Sequence, residues 1–207
     1  MMGRRRWLVL VGALVLAGCP GLTPTGEAPQ LYVLSPKSTF DENLPQVDWQ
    51  LVIELPVAAA GLNTTRIAVS RTPLTVEYYA RANWTDRAPV LVQTLLIESF
   101  ENTGKIVSVG RESIGLRSDY VLKTELREFE AVEEAGGTLV HVRINVKLVR
   151  MPDRSIIATH TVERRVPVEG RGIESVVAAF DDALGKVMKR VVEWTLTTPP
   201  PKFARSS

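Results

Sequence analysis

The clearest pattern in the chain lies between positions 139 and 150. Val140, Val142, Ile144, Val146 and Leu148 alternate there with His141, Arg143, Asn145 and Lys147. A period of two puts the apolar side chains on one face of a strand and the polar ones on the other, so one face packs on a core while the other meets water or a partner. Tyr120 to Glu130 lies before it, across a Gly136-Gly137 turn. Ser155 to Val166 follows it, across a Pro152-Asp153 turn. Together they predict an antiparallel meander of three long strands.

Upstream, the elements are shorter. Leu31 to Pro36 is a strand candidate ended by proline. Trp49 to Leu55 alternates, with Leu51, Ile53 and Leu55 on the expected buried face and Gln50 and Glu54 opposite; Pro56 ends it. Arg66 to Ser70 and Leu74 to Tyr79, with Pro73 between, predict a hairpin, and Lys105 to Val109 a further strand. The pattern switches to helical spacing over Asp86 to Asn102, where Leu91, Val92, Leu95, Leu96, Ile97 and Phe100 supply an apolar side. Asp86 or Thr85 is the N-cap candidate, Pro89 falls in the first turn, and Gly104 is a natural stop. Gly172 to Thr195 predicts a second helix, with a stripe through Val176, Phe180, Ala183, Leu184, Val187, Met188 and Val191. Glu174, Asp181, Lys186, Lys189 and Arg190 face away. The expected fold class is α/β: a two-layer sandwich in which an antiparallel or mixed sheet is covered by two main helices.

The first nineteen residues follow a different logic. Arg4-Arg5-Arg6 is followed by an uncharged run from Trp7 to Leu16 and then by Leu16-Ala17-Gly18-Cys19. This is the layout of a secretory signal, with an apolar run too short for the about 20 residues a membrane-spanning helix needs. Leu-Ala-Gly-Cys resembles the bacterial lipobox. Cleavage would fall between Gly18 and Cys19, and the Cys19 thiolate would take up the lipid. A single acyl chain anchors only marginally; a diacylated cysteine supplies two chains. The stretch from Pro20 to Pro29 reads as a flexible tether. Pro20, where enteric inner-membrane lipoproteins carry Asp, favours the outer membrane. The expected organisation is a signal peptide at 1–18, lipidated cysteine and tether at 19–30, a periplasmic α/β domain at 31–196 and a disordered tail at 197–207.

Composition changes this picture in two ways. The chain has 207 residues, 45% of them hydrophobic, with a formal charge of +2. Three of its 25 Lys+Arg lie in the leader, leaving 22 against 23 acidic residues, so the exported part has no whole-molecule attraction to nucleic acid. Cys19 is the only cysteine, which excludes an intramolecular disulfide and a cysteine-based structural metal site.

Candidate chemistry is sparse. His141 and His160 both sit on strands among polar neighbours and read as solvated or hydrogen-bonded side chains. A serine triad is not decided by spacing, but no G-x-S-x-G, P-loop or G-x-G-x-x-G motif occurs. Glu133-Glu134 beside the glycine turn and Asp181-Asp182 on the second helix read as exposed polar positions. No catalytic residue, cofactor or metal is expected. Two clusters are candidate partner-binding sites. Tyr78, Tyr79 and Trp84 bring three aromatics into a strand-to-helix connection, where Trp84 either plugs the helix start or joins the others as a contact surface. Arg143, Asn145 and Lys147 form a polar strand face that is either plain solvated sheet or an interface.

With these residues in place, the chain resembles the ABC-type transport auxiliary lipoprotein family, which includes the lipoprotein of the paraquat-inducible membrane system. The matching features are Leu31-Tyr32-Val33-Leu34, Val52-Ile53-Glu54-Leu55-Pro56, Thr65 to Val69, Leu74 to Ala80, Trp84-Thr85-Asp86, Tyr120-Val121-Leu122, Phe180, Ala183 and Trp194. They span residues 31–196. Val69-Ser70 departs from the pattern, where an aromatic is expected. The resemblance implies a non-enzymatic accessory that docks with an MCE-domain protein and ABC or related permease subunits in a Gram-negative envelope. Its expected task is to help a lipid cross the periplasm, and homo-oligomerisation into a ring is compatible with that role. An envelope-assembly or cell-wall-associated structural lipoprotein is the alternative reading.

Overall fold

The computed structural model describes residues 28–72, 74–112 and 118–198. The leader, Cys19 and most of the tether lie outside the described residues, as do Pro73 and the chain from 199 onward. Nine strands and two helices occur among the described residues: β1 Gln30–Tyr32, β2 Val47–Ile53, β3 Val57–Ala58, β4 Arg66–Thr72, β5 Thr75–Trp84, α1 Ala88–Glu101, β6 Ile106–Gly110, β7 Tyr120–Glu134, β8 Gly137–Arg150, β9 Ser155–Pro167 and α2 Ile173–Thr197. All nine strands join one open, mixed sheet.

The expected meander is present and longer than its sequence pattern suggested. β7 pairs antiparallel with β8 from Tyr120↔Arg150 to Glu134↔Gly137, and β8 pairs antiparallel with β9 from Leu139↔Pro167 to Arg150↔Ser155. Because Gly137 already pairs with Glu134, the tight turn is Ala135-Gly136, one residue earlier than expected. Val140, Val142, Ile144, Val146 and Leu148 are all buried. The other edge of β7 is shared: Tyr120–Leu122 pair with β2, Glu125–Leu126 with β3 and Ala131–Val132 with β4, all parallel. β6 lies parallel outside β2, β5 antiparallel outside β4, and β1 parallel outside β5.

Both helices feed one core. Val92, Leu95, Leu96 and Phe100 of α1 join a single cluster with Phe180, Leu184, Val187 and Val191 of α2 and with the side chains on the inward face of the sheet. Gln93, buried in α1, donates from Nε2 to the Ile53 carbonyl at 2.8 Å, which ties that helix to β2. Ring contacts bind the centre. Phe180 packs on Trp84 at 5.1 Å and on Phe129 at 5.0 Å between centroids.

Several expectations need correction. β1 ends at Tyr32 rather than Pro36; Leu34 is buried but Val33 is exposed. Beyond it, the Ser35 N–H donates to the Asp181 carboxylate at 2.6 Å and the Tyr32 hydroxyl to Glu174 at 3.3 Å. Two helix acids read as outward-facing therefore pin the entering chain. β2 ends at Ile53, so the alternation does not carry on to Leu55, which is 49% exposed; Val52 is instead buried on the opposite face. Neither Asp86 nor Thr85 caps α1. The N-cap position is Arg87, without a side-chain bond, and Asp86 Oδ1 accepts from the Arg87 N–H. The Gly104 stop holds, at φ +60°, a conformation glycine adopts without steric penalty. α2 runs through Thr197, one residue into the expected tail.

Phe180 has no exposed surface and contacts two rings of the core. Phe180→Ala is expected to lower unfolding free energy by about 3–5 kcal/mol, whereas the exposed Val107→Ala shifts it by less than about 0.5 kcal/mol. Urea unfolding followed by circular dichroism measures both.

Candidate functional site

The aromatic cluster does not assemble. Trp84 belongs to β5, not to a connection, and is 1% exposed against Phe129 and Phe180. Its role is packing, and it presents no surface to a partner. Tyr78 and Tyr79 are adjacent on the same strand, so they point to opposite faces. The Arg66 guanidinium lies 3.5 Å from the centroid of the Tyr78 ring, and the Tyr78 hydroxyl donates to the Gly61 carbonyl at 3.0 Å. Burial raises the pKa of the Tyr79 hydroxyl, with Glu133 nearby adding to it. The departure at Val69-Ser70 also lies inside: both residues are buried, and Ser70 donates to the Thr75 carbonyl at 2.7 Å.

The second candidate set does share a surface. Pairing across β7, β8 and β9 aligns the outward side chains in rows: Lys123, Lys147 and Thr159; Glu125, Asn145 and Thr161; Glu128, Arg143 and Glu163; Glu130, His141 and Arg165. Most of these charges are already paired. Arg143 bonds Glu128, His141 Nε2 meets Glu163 Oε1 at 2.7 Å, Arg165 meets Glu134 at 2.9 Å and Lys123 meets Glu54 at 2.7 Å. Asn145 is buried and donates to the Thr161 hydroxyl at 2.8 Å and to the His160 carbonyl at 3.3 Å. Lys147 is the exposed member, with no carboxylate in ion-pair range among the described residues. Arg143, Asn145 and Lys147 thus divide into a paired, a buried and an open side chain.

At the end of this face the pattern turns apolar. Val52, Val121 and Val149 form a small buried cluster of their own, with Met151 against it. They floor a cavity of about 460 Å³ whose rim carries Glu54, Lys123 and Arg154. A second cavity, of about 630 Å³, runs between β9 and α2. His160 is near it and stacks on Trp194, with centroids 5.4 Å apart. Neither cavity was anticipated from the sequence. The period of two in β8 extends to Val149 and marks where the first one starts, but the second needs residues about 25 positions apart to meet.

Among the described residues no helix is long and apolar enough to cross a membrane, and no group of three His, Cys, Asp or Glu side chains is placed to hold a metal. Fold and faces together define a mixed α/β protein whose sheet carries a core on its inward side and charged rows on its outward side. The chain belongs to the ABC-type transport auxiliary lipoprotein component family, whose model matches residues 31–192. That family is an auxiliary component of ABC-type transport, and its lipoprotein character suggests the cell envelope. Protein XCC0632 from Xanthomonas campestris is similar in structure, with a TM-score of 0.77, 32% identity, and coverage of 81% of this chain and 94% of that one. A further crystal structure matches at a TM-score of 0.65 with 12% identity, over 82% of this chain and 99% of that one, and shares the fold alone. Protein bll6063 of Bradyrhizobium diazoefficiens is 29% identical over 193 residues, 88% of this chain and 49% of that protein. The chain therefore spans about half the length of this curated relative.

Glu130 is the strained charge of the outward face. Burial pushes its carboxyl pKa up, and the Glu128 carboxylate adds to the shift; Ser70 and His141 oppose it. A carboxyl raised in the folded state stabilises below its unfolded pKa and loses that contribution as pH rises through the folded value. Glu130→Gln is therefore expected to gain stability at pH 7, by no more than about 1 kcal/mol after solvent screening. The gain should vanish below the ordinary carboxyl value of 4.5. Chemical unfolding at pH 7 and pH 4 tests the sign.

Proposed function

We propose that this chain is a lipid-anchored, periplasm-facing protein that serves as a non-enzymatic docking subunit of an ABC/MCE-type lipid transport system in the Gram-negative envelope. The observation that carries this is the family match, which covers nearly the whole folded body and starts at residue 31, shortly after Cys19. The proposed anchor is the diacylated Cys19, with the outer membrane as its site and an MCE-domain protein and permease subunits as partners. Ten residues separate Cys19 from Gln30, a reach of at most about 35 Å. The body would then stand beyond the headgroups. The outward rows of β7, β8 and β9 supply a polar surface for docking, and homo-oligomerisation belongs to the same proposal. The two-layer reading of the fold is supported by the way both helices enter one core cluster with the inward face.

Two measurements test this. Cys19→Ala should move the protein from the membrane fraction to the soluble fraction, and mass spectrometry of the native protein should find acylated Cys19 as the first residue. A native chain intact from Met1, or one with an unmodified sulfur, overturns the anchor. Gentle crosslinking in membranes should recover an MCE protein together with an ABC or permease subunit. Recovery of cell wall instead, with lipid trafficking unchanged in a deletion strain, would favour the envelope-assembly reading.

A further inference from the structure

β9 is an edge strand. It pairs with β8 on one side, and no described strand pairs with it on the other, along Ser155–Pro167. The sheet's other open edges among the described strands are shorter: three residues in β1, five in β6, two in β3, and the stretch of β5 ahead of Ala82 that β1 does not cover. Unpaired edges template a further strand, and proteins commonly blunt them. The 630 Å³ groove runs along this one, between β9 and α2.

The side chains that point into the groove follow from register. His160, Val162 and Arg164 pair with Val146, Ile144 and Val142, all on the inward face, so they too point inward, toward α2. A strand added to β9 would send alternate side chains the same way. Lys186, Lys189 and Arg190 wait there on α2. The charge is not balanced. Two carboxylates lie beside the groove and both are engaged: Glu163, turned to the outward face, by His141 at 2.7 Å, and Glu193 by Lys189 at 3.6 Å and by the Asp41 N–H at 3.1 Å. Lys186 is held by Asp182 at 2.7 Å. Arg164 and Arg190 have no carboxylate in ion-pair range among the described residues.

We infer that β9 is a strand-addition site for an extended, acidic segment of a partner protein. Backbone hydrogen bonds to the open edge would hold the segment, and carboxylates on alternate residues would meet Arg164 and Arg190. A second copy of this chain fits less well. β1 and β6 contain no acidic residue, Glu77 on the open stretch of β5 is already held by Arg71, and pairing β9 with another β9 would bring two arginine-bearing grooves together. The inference rests on the geometry of the edge and not on the transport role.

The probe is an eight-residue peptide alternating Glu and Val, with a Gln-Val peptide and a backbone N-methylated Glu-Val peptide as controls. With the full chain, calorimetry should show binding of the Glu-Val peptide that weakens as salt is raised. Hydrogen exchange should show new protection of amides within 158–166. Affinity should fall at least tenfold for each control and for Arg164→Glu with Arg190→Glu. Both side chains lie outside the buried core, and circular dichroism checks that the double variant folds. Three results overturn the inference: no binding, binding without protection of β9, or β9 protection that depends on protein concentration without peptide, which would assign the edge to self-association.

Discussion

Everything in the sheet is registered against β7. Its fifteen residues span about 50 Å. One edge is taken up by β8 along its length, and the other receives β2, β3 and β4 in succession. A slip of one residue between β7 and β8 would turn Val140, Val142, Ile144, Val146 and Leu148 toward solvent and the charged rows into the core. The inward face therefore fixes the outward one. Glu128 reaches Arg143 because Phe129 and Val142 are held inside beneath α2. A bulge between Leu126 and Glu128 shifts the phase once, and both sides of it remain buried inward, at Leu126 and at Phe129.

What the sequence made legible was local. The alternation in β8 and the stripe in α2 could be read because each element has one wet face and one dry face. β5 failed that test. Tyr78 opposes Ala68, but Arg81 takes a φ of +57°, and the phase beyond it differs, so Ala82 and Trp84 point inward. An aromatic-rich segment with a phase break looks like a connection and is a strand. Leu55 misled for a related reason: its spacing continued a pattern that the pairing with β7 ends at Ile53. The parallel placement of three short strands along β7 joins residues roughly 60 to 75 positions apart. No periodicity encodes such a pairing. The Cys19 assignment rests on the sequence, since that residue lies outside the described part.

The two candidate surfaces differ in what docking would disturb. On the outward face, a partner's charges would compete with ion pairs that exist already, such as Arg143–Glu128 and Arg165–Glu134. Exposed pairs of this kind contribute about 0–1 kcal/mol each to stability. Their main effect is to balance charge across the face, with Lys147 and Glu130 the members that make no ion pair among the described residues. In the groove beside β9 the carboxylates are spent and two guanidiniums have no carboxylate partner among the described residues, so an acidic segment breaks no ion pair there and competes only with the bond from Arg164 Nη1 to the Glu163 carbonyl at 2.6 Å. The open edge adds backbone donors and acceptors that need no rearrangement.

Strand order sets these surfaces relative to the proposed anchor. The chain enters the body at β1, and the path from there runs β1, β5, β4, β7, β8, β9. Five strand spacings of about 4.8 Å put the open β9 edge roughly 24 Å across the sheet from the entering chain. Ser35 and Tyr32 fasten that entry to Asp181 and Glu174 of α2, so the tether emerges from a fixed place on the body. α2 thus has two jobs at two points along its length. Its first half holds the segment that leads back to Cys19, and Lys189 and Arg190 further on line the groove. One helix thus holds the entering chain through Glu174 and Asp181 and supplies the basic side of the β9 edge through Lys189 and Arg190.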